Sequence, residues 1–137
     1  MKENLNDQSR KDLIDYRLSR AKETLEEAEY NARGEYYNAA VNRLYYACYY
    51  AASALMLNAR LDVSTHKGIL NQLGFRFIKT GVLEQRFGSI YARLYNARQV
   101  GDYEDFIFCD SDMYNEYKPL AKDFVSTIAS LLSDKSL

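Results

Sequence analysis

Apolar residues recur along the chain at the spacing of one helical face, and a clear example lies near its start. The positions follow one another at steps of three and four residues: Leu18, Ala21, Leu25, Ala28 and Ala32. Such a stripe is typical of an amphipathic α-helix that buries one side and exposes the other. It predicts a first helix over about residues 9–32, which Gly34 is expected to end in the left-handed conformation.

The next stretch, about residues 35–58, is apolar around most of its circumference. A helix of this kind lies at the centre of a bundle or at an interface. Asn42 and Arg43 are its polar exceptions, and a charge in such surroundings must be paired or must reach solvent at an edge. Arg43 therefore has two interpretations: half of an ion pair that fixes the helix register, or a phosphate-binding residue in a cleft.

Two further helices are predicted after a short loop. Ser64 or Thr65 can cap a third helix over about residues 66–79. A fourth helix covers about residues 82–99, and Gly101 is expected to mark its end.

Asp110 or Ser111 is expected to cap a last helix, in which Pro119 should cause a kink or a restart because it lacks a backbone donor. No segment shows the two-residue alternation of a β-strand. The predicted fold class is all-α, an up-and-down bundle of about five helices with a four-helix core plus an extra helix. It forms one domain over residues 1–137, with a core of about 9–133.

Composition supports a self-sufficient globular domain. The chain has 137 residues, 47% of them hydrophobic and 27% charged, which is enough to bury a core without a metal or disulfides. Its net charge is −1, from 18 basic and 19 acidic residues, so RNA contact would require a local basic patch. Thirteen tyrosines without a tryptophan predict polar seams between helices or a large interface.

Residues that most metals and cofactors need are scarce in this sequence. Two cysteines and one histidine make neither a disulfide framework nor a zinc site, and no phosphate-binding glycine loop or dinucleotide fingerprint is present. We therefore expect no cofactor and no metal. The start of the chain lacks the apolar core of a signal peptide, and no run approaches a membrane span. A soluble cytoplasmic protein without a membrane partner is predicted.

Candidate site residues lie near the end of the predicted fourth helix. Arg98 and Asp102 are four residues apart and could pair if the helix reached that far. If Gly101 ends the helix, Asp102 is instead free to turn inward and meet Arg43. His66 has two interpretations as well: an ordinary residue at a helix start, or an acid or base that works at neutral pH.

Four strings of residues occur together in this chain. Residues 42–55 read NRLYYACYYAASAL, residues 65–68 read THKG, and residues 77–83 read FIKTGVL. The fourth is Arg98 followed by the Gly-Asp-Tyr of residues 101–103. Taken in order, they resemble the HEPN family, specifically its small stand-alone prokaryotic branch, over about residues 9–133.

The resemblance implies a bundle of about five helices that forms a two-fold dimer. Many HEPN proteins are RNases of toxin–antitoxin, abortive-infection or CRISPR systems, while others pair with a minimal nucleotidyltransferase or serve as nucleotide-binding modules. Catalytic members carry an arginine followed after four to six residues by a histidine, near the dimer cleft. There the two side chains assist the attack of an RNA 2′-hydroxyl on the adjacent phosphate.

This sequence departs from that motif at the histidine. Tyr103 stands five residues after Arg98, whereas His66 comes 32 residues before it. General acid–base assistance is commonly worth about 10²–10⁴ in rate, so the departure favours a binding and interaction module over a nuclease. The expected partners are a second copy of the chain and a minimal nucleotidyltransferase, in a toxin–antitoxin or stress-type pair. RNA or a nucleotide is a further candidate ligand.

The predicted binding site consists of six residues: Asn42, Arg43, Tyr46, Arg98, Asp102 and Tyr103. Arg98 and His66 are the candidates for catalysis. Two other functions stay open, a metal-independent endoribonuclease and a nucleotide-binding accessory domain. The first requires the fold to bring His66 near Arg98, where it would substitute for the motif histidine. The resemblance also makes Tyr103 a candidate for nucleotide addition by the partner.

Overall fold

Five α-helices make up most of the computed structural model, which describes residues 5–103 and 109–133, apart from the side chains of 99–103. The helices are α1 (Asp7–Arg33), α2 (Tyr37–Asn58), α3 (His66–Gln72), α4 (Arg86–Tyr103) and α5 (Ser111–Ser133). A π-helical turn, Leu73–Ile78, continues α3. These two ranges contain no strand, and the predicted all-α class is confirmed.

Helix α2 lies at the centre and packs against α1, α4, α5 and the shorter α3. Five of its alanines are completely buried: Ala40, Ala47, Ala51, Ala52 and Ala54. On α1, Ala21 and Ala28 are completely buried as well. Such small side chains let two helix backbones approach closely, and close packing of this kind fills the core without voids. Of the two predicted placements of the second helix, at the centre of the bundle or at an interface, the structure shows the first.

Side-chain caps fix where three of the helices begin. Asn6 Oδ1 accepts from the Ser9 amide at 2.7 Å and starts α1 two residues earlier than expected. Thr65 Oγ1 accepts from the Gly68 amide at 3.0 Å, which makes Thr65 the cap of α3. Asp110 Oδ1 accepts from the Met113 amide at 3.0 Å and caps the start of α5. Each cap satisfies an amide that has no partner within its own helix.

The turn between α1 and α2 corrects the expectation for Gly34. Its φ is −86°, and the left-handed residue is Glu35, with φ of +66°. A Cβ on Gly34 would lie only 2.9 Å from two ring carbons of Tyr36. Glycine thus leaves space for the ring of Tyr36 here, and its left-handed freedom is not used.

Both ends of the fourth helix differ from the predictions. Helix α4 begins at Arg86 and continues past Gly101 to Tyr103. A glycine inside a helix costs only about 1 kcal/mol relative to alanine, which is too little to end a helix by itself.

Helix α5 runs through Pro119 without a restart. The carbonyl that loses its donor belongs to Asn115, and both residues are exposed, so water can replace the missing bond.

None of the helices in the described ranges has the length and apolar character needed to cross a membrane.

We expect Ala40→Leu to destabilise the fold, because Ala40 has no exposed surface and the core has no room for three more carbon atoms. Overpacking of this kind typically costs about 1–3 kcal/mol in the free energy of unfolding. Chemical denaturation of the purified variant measures this loss.

Ala39→Leu is the matched control, since Ala39 is the preceding residue of α2 and is exposed. Its free energy of unfolding should stay within about 0.5 kcal/mol of the wild-type value. Equal effects of the two substitutions would contradict close packing at Ala40.

Candidate phosphate-binding site

A cluster of tyrosines, one histidine and one arginine lies where α2, the start of α3 and α4 meet. We call it the His66–Arg98 site and define it by seven residues: Tyr45, Tyr46, Tyr49, His66, Tyr91, Tyr95 and Arg98. On α4, the last three of these stand at spacings of four and three, which places them on one helical face. The Thr65 cap fixes the start of α3 and thereby positions His66 in its first turn.

The imidazole of His66 is anchored from the core side. Tyr45 Oη is hydrogen-bonded to His66 Nδ1, and the same oxygen lies 3.2 Å from Tyr91 Oη. Both tyrosines are completely buried, whereas His66 is partly exposed. Tyr49 Oη donates to the Ser64 carbonyl oxygen at 2.9 Å and so holds the segment that leads into α3. Only one ring nitrogen of His66, Nε2, is left for a ligand.

Arg98 brings a permanent positive charge to the same place. Its guanidinium lies over the ring of Tyr95, 5.1 Å from the centroid, and over Tyr45 at 5.6 Å. The same Tyr95 ring also contacts His66, with 4.4 Å between the two ring centroids. Cations are attracted to aromatic faces, so the tyrosines help to hold Arg98 in position.

Burial and Arg98 together lower the pKa of His66. The larger cause is desolvation, which disfavours the charged imidazolium, and the second is repulsion by the Arg98 guanidinium. Since the ordinary histidine pKa is already about 6.5, His66 is uncharged at neutral pH. The site thus combines one fixed cation with one neutral imidazole.

Arg43 is a second cation next to the Tyr46 ring. Its guanidinium lies 5.1 Å from the Tyr46 centroid, while that of Arg98 lies 5.9 Å from the same centroid. Arg43 Nη1 also pairs with Glu27 Oε1 at 3.4 Å, and its Nη2 donates to Asn42 Oδ1 at 3.0 Å. The structure therefore contains the ion pair that was one of the two interpretations of Arg43.

A pocket of about 350 Å³ opens beside His66. Its lining includes Lys67, Leu70, Tyr95 and Asn96. A lysine ammonium, a side-chain amide and an aromatic ring together offer contacts to a phosphate and to the base or sugar attached to it. The pocket adjoins the His66–Arg98 site because His66 and Tyr95 belong to both.

The structure brings together several of the predicted site residues. Arg98 and Tyr46 share one cluster with the catalytic candidate His66, and Arg43, which is bonded to Asn42, also lies next to the Tyr46 ring. The backbones of residues 102–103 belong to α4, but their side chains are outside the described part of the chain. The inward turn of Asp102 toward Arg43 was expected only if Gly101 ended the helix, and α4 instead continues to Tyr103, so that condition is not met. The pairing of Arg98 with Asp102 and the modification of Tyr103 stay predictions.

The sequence interpretation did not include four tyrosines of the site, Tyr45, Tyr49, Tyr91 and Tyr95. A signal for the last two was present, since Tyr91 and Tyr95 precede Arg98 by seven and three residues on one helical face. Tyr45 had no comparable signal, because its contact with His66 depends on how two separate helices pack.

Within residues 5–98 and 109–133, no group of histidine, cysteine or acidic side chains is arranged to hold a metal ion.

Comparison with known proteins identifies the family. The model of the HEPN domain matches residues 14–131, which is most of the chain. The protein belongs to the HEPN domain family.

Relatives with known names cover the same region. A UPF0332 protein of Thermotoga maritima is 34% identical over 122 residues, spanning 89% of this chain and 92% of that protein. Two proteins of Methanocaldococcus jannaschii carry the name "Putative toxin" and are 33% and 35% identical. These two matches span 64% and 61% of this chain, and 59% and 62% of the relatives.

Titration of His66 tests the electrostatics of the site. The sequence contains one histidine, so a single NMR titration curve reports its pKa, which should lie below the ordinary 6.5. Arg98→Gln should raise this pKa because it removes the repelling charge. The unfolded chain binds the proton more readily than the folded one, so stability should fall as the pH drops below about 6.5.

Arg93→Gln is the matched control on the same helix. Arg93 is exposed, pairs with Glu116 and lies over the ring of Tyr117. Its removal should leave the His66 pKa unchanged. A wild-type pKa at or above 6.5 would contradict the described environment of His66.

Proposed function

We propose that this protein is a toxin-type HEPN protein that binds RNA through a backbone phosphate held at the His66–Arg98 site. One observation carries the proposal: His66 and Arg98 lie against the same Tyr95 ring, although 32 positions separate them in the sequence. Guanidinium groups are well suited to phosphate because their planar fork donates parallel hydrogen bonds.

The protonation state of His66 supports phosphate binding. An uncharged imidazole avoids a costly repulsion with Arg98 and can still donate one hydrogen bond from the nitrogen that Tyr45 does not use. Partial burial strengthens such bonds, because the local dielectric constant is lower than that of water. Lys67, at the adjoining pocket, adds a third donor for the same anion or its neighbour.

RNA is the ligand that the family and the charge distribution favour. Two relatives carry a toxin name, and the HEPN resemblance links such proteins to RNA. The chain has a net charge of −1, so nonspecific attraction contributes little and affinity depends on the few cations of the site. The pocket beside His66 has the volume to take part of one nucleotide.

A second part of the proposal concerns partners. We propose that the chain acts as a symmetric dimer and that a minimal nucleotidyltransferase is its partner. Tyr46, Tyr49 and Tyr50 of α2 support this because they are only partly buried, and exposed edges of tyrosine rings are enriched at interfaces. Arg20 lies over the Tyr50 ring at 5.2 Å and continues this mixed aromatic and basic surface.

Metal-independent cleavage of RNA is a second candidate function. The sequence argument against it was the missing motif histidine, and the position of His66 beside Arg98 favours it. In that mechanism His66 would take the proton of the 2′-hydroxyl, and the 2′-oxygen would attack the adjacent phosphorus. The P–O5′ bond would break to leave a 2′,3′-cyclic phosphate, and the 5′-oxygen of the next nucleotide would leave with a proton from water. Arg98 would stabilise the charge that develops on the phosphate.

Arg98→Gln should weaken the binding of single-stranded RNA by about ten- to a hundredfold, because a hydrogen bond to a charged group contributes roughly 1.5–3 kcal/mol. The slope of log affinity against log salt should also become smaller by about 0.7, the value for one lost contact to a single strand. Fluorescence anisotropy with a labelled RNA measures both quantities.

Arg93→Gln again provides the control, and its affinity for the RNA should equal that of the wild type.

The second candidate is tested by incubating the protein with the same labelled RNA in EDTA and analysing the mixture for cleavage products. Cleavage that is reduced by about 10²–10⁴ in His66→Ala would favour the second candidate. If the protein shows no Arg98-dependent binding of RNA and no cleavage of RNA, both candidate functions are wrong.

The dimer proposal predicts a particle of twice the chain mass in light scattering at tens of micromolar. Tyr50→Glu should shift it toward the monomer by placing a charge in the contact surface, whereas Tyr16→Glu should not. Tyr16 is an exposed tyrosine on α1 and serves as the matched control. If the wild type is a monomer, the dimer proposal is wrong. If the protein does not co-purify with a co-expressed nucleotidyltransferase, the partner proposal is wrong.

A further inference from the structure

The hydroxyl groups behind His66 form a short hydrogen-bonded chain. Tyr91 Oη lies 3.2 Å from Tyr45 Oη, and Tyr45 Oη is bonded to His66 Nδ1. We infer that Tyr45 holds the neutral His66 in the tautomer that carries its hydrogen on Nε2, so that the histidine meets its ligand as a hydrogen-bond donor and not as a base. Tyr45 is then a positioning residue of the site.

The chain can run in two directions. In the inward direction, Tyr91 donates to Tyr45, and Tyr45 donates to His66 Nδ1, which leaves the ring hydrogen on Nε2. In the outward direction, His66 Nδ1–H donates to Tyr45, and Tyr45 donates to Tyr91, which leaves a lone pair on Nε2. Each direction contains the same two hydrogen bonds, so these bonds alone do not decide between them.

The hydrogen of Tyr91 decides the direction. In the inward direction it is used by the Tyr45 oxygen. In the outward direction it is left over, and among the residues that the structure describes the Tyr45 oxygen is the one partner of Tyr91 Oη. Tyr91 is completely buried, and a buried hydroxyl hydrogen without an acceptor costs as much as a lost hydrogen bond. The inward direction is therefore the stable one.

The other groups around His66 do not oppose this direction. Tyr49, also from α2, uses its hydroxyl hydrogen on the Ser64 carbonyl. Arg98 from α4 and Lys67 from α3 donate hydrogen bonds and accept none. Tyr95 contacts the imidazole through its ring. None of these neighbours provides an acceptor that would draw the hydrogen onto Nδ1.

The consequence for function follows from the nature of the free nitrogen. An Nε2–H beside the Arg98 guanidinium presents two donors, which suits an oxygen of a phosphate. A 2′-hydroxyl proton would find no lone pair on Nε2 until Nε2 had lost its hydrogen to solvent and Nδ1 had gained one, a change that also requires both tyrosine hydroxyls to turn. The identity of the ligand rests on the proposed function, whereas the tautomer does not. The inference therefore favours binding over cleavage.

Nitrogen NMR of the one histidine tests the tautomer directly, because protonated and unprotonated ring nitrogens have well-separated shifts. With ¹⁵N-labelled histidine, above the pH at which His66 titrates, the wild type should show a protonated Nε2 and an unprotonated Nδ1. Tyr45→Phe keeps the ring but removes the hydroxyl, so both signals should move toward the average that a mixture of tautomers gives.

Tyr49→Phe is the matched control, since the Tyr49 ring lies 5.8 Å from the His66 ring but its hydroxyl bonds elsewhere. It should leave both nitrogen signals unchanged. A wild-type spectrum with the hydrogen on Nδ1 overturns the inference, whether or not the Tyr45 variant folds. Unchanged tautomer populations in folded Tyr45→Phe would overturn it as well.

Addition of inorganic phosphate separates this inference from the proposed function. Phosphate should shift the Nε2 signal of the wild type more than the Nδ1 signal, and Arg98→Gln should reduce the shift. If phosphate and RNA leave both signals in place, the proposed phosphate site is wrong, although the tautomer assignment stands on the ligand-free spectrum.

Discussion

The burial of α2 on most of its circumference is the constraint on which the rest of this structure depends. Alanines such as Ala47 and Ala51 allow other helices to pack closely around it. The same packing carries tyrosines of α2 into the core, where a hydroxyl without a partner is costly. Tyr45 satisfies this requirement with His66 and Tyr91. The site is thus a product of core packing and not an addition to the surface.

Another buried tyrosine, Tyr114, has a carboxylate as its hydrogen-bond partner in place of an imidazole. Tyr114 on α5 donates to Glu29 Oε1 of α1 at 3.1 Å, and burial together with this carboxylate raises the pKa of Tyr114 to about 12. Lys118 pairs with the same carboxylate at 2.5 Å, so the charges are balanced within the protein. At Tyr45 the partner is instead an imidazole whose second nitrogen is open to a ligand. The first arrangement joins two helices, whereas the second also leaves a binding group.

Sequence patterns predicted the elements of the fold better than their ends or the site. Periodicity identified the apolar second helix, and residue type narrowed the cap of α3 to Ser64 or Thr65, because both signals are local. Gly34 does follow the end of α1, as expected, but not in the left-handed conformation, and Gly101 does not end α4. A glycine marks conformational freedom without showing how the chain uses it. The meeting of His66 with Arg98 could not be predicted, since it depends on the packing of α3 against α4.

The origin of His66 on α3 also limits what the site does chemically. In the HEPN motif the histidine follows its arginine closely in sequence, whereas here it comes from a helix start that the Thr65 cap and the Tyr49–Ser64 bond hold in place. With Nδ1 turned toward Tyr45, the imidazole has one nitrogen left. In the tautomer that we infer, His66 offers a donor next to a guanidinium, which suits an anion, whereas proton transfer requires groups that can change roles. That inference is our reason for preferring the proposed phosphate binding to the proposed RNA cleavage.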